Sequence, residues 1–214
     1  EAVETADPGI PVFDKSKYEC VQKIDRLKHW VERAQDVGIC AVDLETDSLD
    51  SAAANLGGVC LAVADNEACY IPLGHTGGGD LLGDGAPEQI PMDDALKILE
   101  PMLHDGSVLK IGQNFKYDLG VFHRYGLHPA PYDDTMLISY ALSCGLHSHG
   151  MDNLSMMYFE HQPIPFKELV GTGKKQKTFN ELTLEESTPY AAEDADVTLR
   201  LWKLLKRKLA QEQV

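Results

Sequence analysis

No apolar stretch in this 214-residue chain is long enough to cross a bilayer. The longest uninterrupted ones, such as VCLAVA at 59–64, fall far short of the roughly 20 residues that a spanning helix needs. The chain is therefore expected to be soluble and to have no membrane partner. It also has no CxxC pair. Its five cysteines (Cys20, Cys40, Cys60, Cys69, Cys144) are scattered and odd in number, which argues against a disulfide framework or a thiolate zinc site and fits the reducing cytoplasm. The glycines of GHTGGGDLLGDGAPE (74–88) precede no GK[ST] and sit in no strand-to-helix GxGxxG context, so they suit a surface loop and not a phosphate cradle. Positive charge is scarce: 19 Lys and Arg against 34 Asp and Glu give a formal charge of -15. That balance is awkward for a phosphate-bearing partner, since non-specific nucleic-acid affinity rests on Lys and Arg. No basic-then-apolar leader opens the chain, and the mixed start EAVETADPGIP suits a flexible segment over residues 1–11 or the middle of a longer protein.

What is present can fold. An apolar share of 43% can close a sizeable core, and the length favours one domain, placed at residues 12–214. Apolar residues Val21, Ile24, Leu27, Trp30 and Val31 recur at helical spacing and predict a helix over 16–34, with Asp14 or Ser16 as cap. Short runs at 38–44, 57–65 and 67–72, parted by turn-prone residues, predict a three-stranded antiparallel meander. Beyond the glycine loop come a helix over 92–104 interrupted near Pro101, a strand over 107–112, a helix over 114–125, a strand near 131–134 and a helix over 135–144. A long final helix runs from about 184 to 210, with Pro189 near its first turn. This order predicts an α/β fold of ribonuclease H-like type: a mixed five-stranded sheet, antiparallel meander then parallel strands, flanked by helices.

The stretch VDLETDSLD (42–50) follows a core-entering run with a crowd of carboxylates. Residues two apart on a strand share a face, so Asp43 and Glu45 project together. Residues four apart on a helix are neighbours, which pairs Asn114 with Asp118 and Tyr190 with Asp194. Three elements thus offer Asp43, Glu45, Asp118 and Asp194 to one end of the sheet. Unpaired, such acids repel and raise each other's pKa, so a bound divalent cation is the natural reason for the cluster. Oxygen-only ligands favour magnesium or manganese over zinc, and two ions about 4 Å apart would activate a water and stabilise the leaving 3′ oxygen of a phosphodiester.

The segments VDLETDSLD, IGQNFKYD and YAAEDADVTLRLW closely resemble the three motifs of the 3′-5′ proofreading exonuclease domain of bacterial DNA polymerase I, the DEDD class with a tyrosine in its third motif. ANLGGVCLAV, YIPLGH, DDTMLISYAL, GMDNLSMMYF and GKKQKTFNEL extend the likeness from about residue 12 to the C-terminus. The resemblance implies a catalytic set of Asp43, Glu45, Asp118, Tyr190 and Asp194. Asp43, Glu45 and Asp194 would hold one cation, Asp43 and Asp118 a second, and Tyr190 would orient the attacking water. The implied cofactors are two Mg2+ or Mn2+ ions, with Zn2+ possible at one site. The implied substrate is the 3′ end of single-stranded DNA, the product a nucleoside monophosphate, and the remaining partner a polymerase domain of the same polypeptide in the bacterial cytosol.

For DNA contacts the resemblance points to Thr46, Leu49, Gln113, Asn114, Lys116, Tyr117 and Phe166, with ordinary core positions as the alternative for Leu49 and Phe166. Ser148 stands where some members carry Arg. Lys174, Lys175 and Lys177 form a small basic run near the expected strand path. His147 and His149 suit a surface loop more than a metal pair, and the lysines of KLLKRK suit a solvated helix face. Two other functions stay open: an idle module that supports a polymerase, and an RNA 3′-5′ exonuclease of the ribonuclease D kind.

Overall fold

The structure is a computed structural model that describes residues 11–77, 85–173 and 176–213. The expected flexible start (apart from residue 11), the middle of the glycine loop, and Lys174 and Lys175 lie outside the described residues. Six strands form one sheet in the order β1 (Glu19–Cys20), β4 (Glu67–Pro72), β3 (Leu56–Ala64), β2 (Ile39–Thr46), β5 (Leu109–Gly112), β6 (Tyr132–Asp134). The meander of β2, β3 and β4 is antiparallel, while β5 pairs parallel with β2 and β6 parallel with β5, as expected.

The sixth strand was not expected. β1 pairs parallel with β4 through two residues inside the stretch predicted as the start of the first helix. Val21 lies in the core but belongs to the strand's exit, its amide donating to the Tyr70 carbonyl at 2.8 Å. Its spacing to Ile24 imitated a helical repeat. Helix α1 (Ile24–Val37) therefore begins later, and Asp14 caps only a 3-10 turn at Lys15–Lys17. Helix α2 (Met92–His104) runs unbroken through Pro101, because the proline falls near the helix end and its lost N–H bond is tolerated there.

Period-two alternation along β2 builds two cores. Cys40, Val42 and Leu44 face α1, α2 and α3 (Lys116–Arg124), while Ala41 faces α7 (Leu184–Glu212). On that second face Ala41, Ala62 and Ala68 meet Ala191, Ala192 and Ala195, and these small side chains let α7 lie close on the sheet. Tyr70 crosses β3 above Gly58, where an added Cβ would come within 2.4 Å of the ring. The 29 residues of α7 extend about 43 Å. The helix starts at a capping box: the Thr183 hydroxyl accepts from the Glu186 amide at 3.2 Å and the Glu186 carboxylate accepts from the Thr183 amide at 2.9 Å.

Helices α4 (Thr135–Ser143) and α5 (Met151–Phe159) cover the outer side of α7, and the short α6 (Phe166–Val170) lies near its start. Two lysines of KLLKRK are paired: Lys203 with Asp65 at 2.7 Å and Lys206 with Asp133 at 2.9 Å. Among the described residues no helix is long and apolar enough to cross a membrane.

Candidate active site

Asp43 and Glu45 stand on the α7-facing side of β2, just before the register shift with β3 between Glu45 and Thr46 that ends the regular pairing. Asp118 comes from the first turn of α3, and Asp194 from the middle of α7. The other three acids each lie close enough to Asp43 for its charge to act on them. Glu45, Asp118 and Asp194 are buried and Asp43 is half-buried. Burial pushes the Asp43 carboxyl up to about 7. Burial, then the neighbouring Asp43 and Asp118, pushes Glu45 well above the usual carboxylate range. Asp118 is raised by burial and then by Asp43, and Asp194 by burial and then by Asp43 and Glu45. Among the described residues no Lys, Arg or His forms an ion pair with any of the four, and Glu45 Oε1 is buried without a hydrogen-bond partner. A buried carboxylate oxygen with no donor is costly, and repulsion from its neighbours adds to the cost.

Tyr190 lies one turn before Asp194. Burial, then Asp194, Glu45 and Asp43, holds its phenol far above the usual range, so the hydroxyl stays protonated. Its ring belongs to an aromatic group, 5.9 Å from Phe166 and 6.0 Å from Phe179, and Phe166 is 40% exposed. Leu49 is 97% exposed and so is not a core residue. The loop that carries it is pinned to α3, where the Tyr117 hydroxyl donates to the Ser48 carbonyl and lies 2.5 Å from the Thr46 hydroxyl.

Asn114 and Lys116 are exposed at the turn from β5 into α3, Asn114 in the left-handed region at φ 57. Gln113 is already engaged at both ends: its amide nitrogen donates to the His149 carbonyl at 2.9 Å and its oxygen accepts from the Thr135 hydroxyl. His149 departs from the surface-loop expectation. It is buried, with Nδ1 2.8 Å from the Ser139 hydroxyl, because Tyr140 and Gln113 fold over the loop.

The family model for the 3′-5′ exonuclease matches residues 18–210. The chain belongs to the 3′-5′ exonuclease family. Within that family it is similar to DNA polymerase I of Rhizobium leguminosarum, with 49% identity over 209 residues that span 92% of this chain and 21% of the relative. The exonuclease chain thus covers about a fifth of that relative's length. Its fold is similar to that of Escherichia coli RNase D, described as an exoribonuclease involved in structured RNA processing. There the TM-score is 0.66 at 20% identity, over 91% of this chain and 45% of the other. It is also similar to Brucella melitensis NrnC with bound Mg2+, with a TM-score of 0.61 at 21% identity over 92% of this exonuclease and 81% of that chain.

Four residues escaped the sequence reading. Asp134 caps α4 and also accepts from the amides of Asn114 and Phe115, tying the exposed turn to the sheet. Its place before an apolar helical run was a legible cap signal. Cys60, on β3 directly opposite Asp43 of β2, became visible only with the strand register. Phe179 carried no periodic signal. Glu193, beside Asp194, is wholly buried, and helical position alone gives no sign of its partners.

Proposed function

We propose that this chain is a divalent-cation-dependent 3′-5′ exonuclease that removes nucleoside 5′-monophosphates from the 3′ end of single-stranded or frayed DNA. In this reading residues 12–214 form the proofreading domain of a longer bacterial polypeptide whose polymerase domain supplies the duplex, in the cytosol. The observation that carries it is the set of four clustered acids from three elements with no basic partner among the described residues, in a chain of this family. The donors fit the group that the family implies. They are carboxylate oxygens, they repel one another, and one buried oxygen has no donor among the described residues. Asp43, Glu45 and Asp194 would hold one cation, and Asp43 and Asp118 the second. Mg2+ suits these donors first, with Mn2+ next and Zn2+ at one position. The NrnC neighbour with bound Mg2+ supports the use of a divalent cation. Bound there, divalent cations supply Lewis acidity to the scissile phosphate and to a water.

The chain's own groups do the rest. Tyr190, held protonated, orients a water by its hydroxyl. Leu49 presents an exposed apolar face and Phe166 an exposed ring to the terminal base, a contact that tolerates any sequence. Lys116 and Asn114 stand where they can reach phosphate and sugar, and the Thr46–Tyr117 pair fixes the loop that carries Leu49. The likeness to DNA polymerase I favours DNA over RNA.

Incubating labelled single-stranded DNA and RNA of one sequence with Mg2+ or Mn2+ tests the proposal. Stepwise 3′ shortening of DNA is expected. Preferential shortening of RNA would move the substrate assignment, and no shortening with either ion would remove the activity.

A further inference from the structure

Cys60 is opposite Asp43 in the antiparallel β2–β3 pair, so both side chains stand on the face covered by α7. One ligand atom each from Asp43, Glu45 and Cys60 lies within 4.8 Å of the others, a spread that one cation can span. The other two buried cysteines, Cys40 and Cys69, belong to the core on the opposite face of the sheet. A second observation points to a ligand at this spot: Glu45, 7% exposed, carries Oε1 with no hydrogen-bond partner among the described residues.

We propose that Cys60 is a soft donor to the cation position framed by Asp43 and Glu45, so that a thiophilic divalent cation held there gains a thiolate beside its carboxylate donors. The inference rests on the metal-site reading above and adds to it a discrimination that carboxylates alone lack. Hard ions such as Mg2+ and Mn2+ take the oxygens and leave the thiol protonated beside them. A thiophilic ion such as Zn2+ or Cd2+ also takes the sulfur lone pair, the S–H bond breaks heterolytically, and the proton leaves to solvent with no change of oxidation state. The competing role for Cys60 is that of a small apolar residue filling the space beneath α7.

Cd2+ is the probe, titrated into the full chain after Cys20 and Cys144, the two cysteines that are not buried, are replaced by Ser. The expected result is a thiolate-to-cadmium charge-transfer band rising to one equivalent. In Cys60→Ser the band is lost and Cd2+ binding weakens about tenfold or more, while Mn2+ binding by calorimetry stays within about twofold. X-ray absorption on the Cd2+-loaded parent counts sulfur neighbours without any substitution at Cys60, so the question stays answerable if the Ser variant misfolds. One equivalent of Cd2+ bound with no sulfur neighbour, or a band that survives Cys60→Ser, overturns the assignment to Cys60 and leaves the carboxylate site standing. Failure of Cd2+ and Mn2+ alike to bind, with Asp43→Asn indistinguishable from the parent, overturns the carboxylate site as well.

Discussion

Helix α7 carries two sets of buried acids side by side, and they differ in company. Asp194 faces the sheet with Asp43, Glu45 and Asp118, and no basic group of the described residues pairs with them. Glu193 and Asp196, on the same helix, find their partners within the chain. Glu193 accepts from His161 Nε2 at 2.8 Å, from the Ile164 amide at 2.9 Å and from Lys15 Nζ at 2.9 Å. Asp196 accepts from the Tyr18 hydroxyl at 2.8 Å and from Arg200 Nε at 2.8 Å, with the Arg200 guanidinium also 4.1 Å from the centre of the Phe13 ring. One set supplies its own counter-charges and locks the 12–18 segment and the 161–164 loop onto the helix. The other has no basic partner among the described residues, as a site does when its counter-charge comes from outside.

The comparison breaks first at Asp43. Asp43→Asn removes a donor common to both proposed cations, and exonuclease rate on labelled single-stranded DNA should fall about 10³-fold. In the same variant the melting temperature of the metal-free protein should hold or rise, since a repelling charge is gone. A Tm that drops instead would mean the cluster is structural. Asp196→Ala should behave in the opposite way. It takes from the buried Arg200 guanidinium its closest carboxylate and leaves it the Asn66 and Val12 oxygens, a loss of about 3 kcal/mol that lowers Tm by about 10 °C in a chain of this size. Calorimetry decides, and a Tm within a degree or so of the parent would show the paired set to be dispensable.

The contrast also explains what the sequence could reveal. The strand and helix repeats that place Asp43 and Glu45 on one face, and Asp118 and Asp194 on helices, are local, so the acidic set was legible before any coordinates. β1 was hidden because two residues are too few to show a period, and Val21 mimicked the helix that follows. Cys60 was hidden because register is a non-local property: a slip of one residue would have turned it to the other face. Arg200 is one helical turn from Asp196 and so was within reach of the sequence, but Tyr18 is 178 residues from Asp196, a pairing that no window of sequence contains. Gln113 was legible as a position but not as a side chain already held by His149 and Thr135.

A milder change sharpens the unpaired set. Tyr190→Phe keeps the ring against Phe166 and Phe179 and removes only the hydroxyl. Mn2+ affinity should stay unchanged while kcat falls about 10²-fold, the cost of a misplaced water. An unchanged kcat would take Tyr190 out of the reaction and leave it as packing.

The smallest expected effect is also the most direct reading of the missing counter-charge. Burial lifts Asp43 from 3.8 to about 7, and its three neighbours move in the same direction. Between those values the folded metal-free chain holds more protons than the unfolded one, so stability declines as pH rises. Below the unfolded value both states are protonated and the penalty vanishes. Tm of the metal-free protein should therefore fall by a few degrees from about pH 5 to about pH 7.5, the reverse of ordinary acid sensitivity. Saturating Mg2+ or Mn2+ should restore it, because an ion bound only by the folded state stabilises by mass action. Melting curves across pH with and without Mn2+ measure both effects. A Tm that climbs with pH in the absence of metal would show that the four acids find counter-charges within the chain after all.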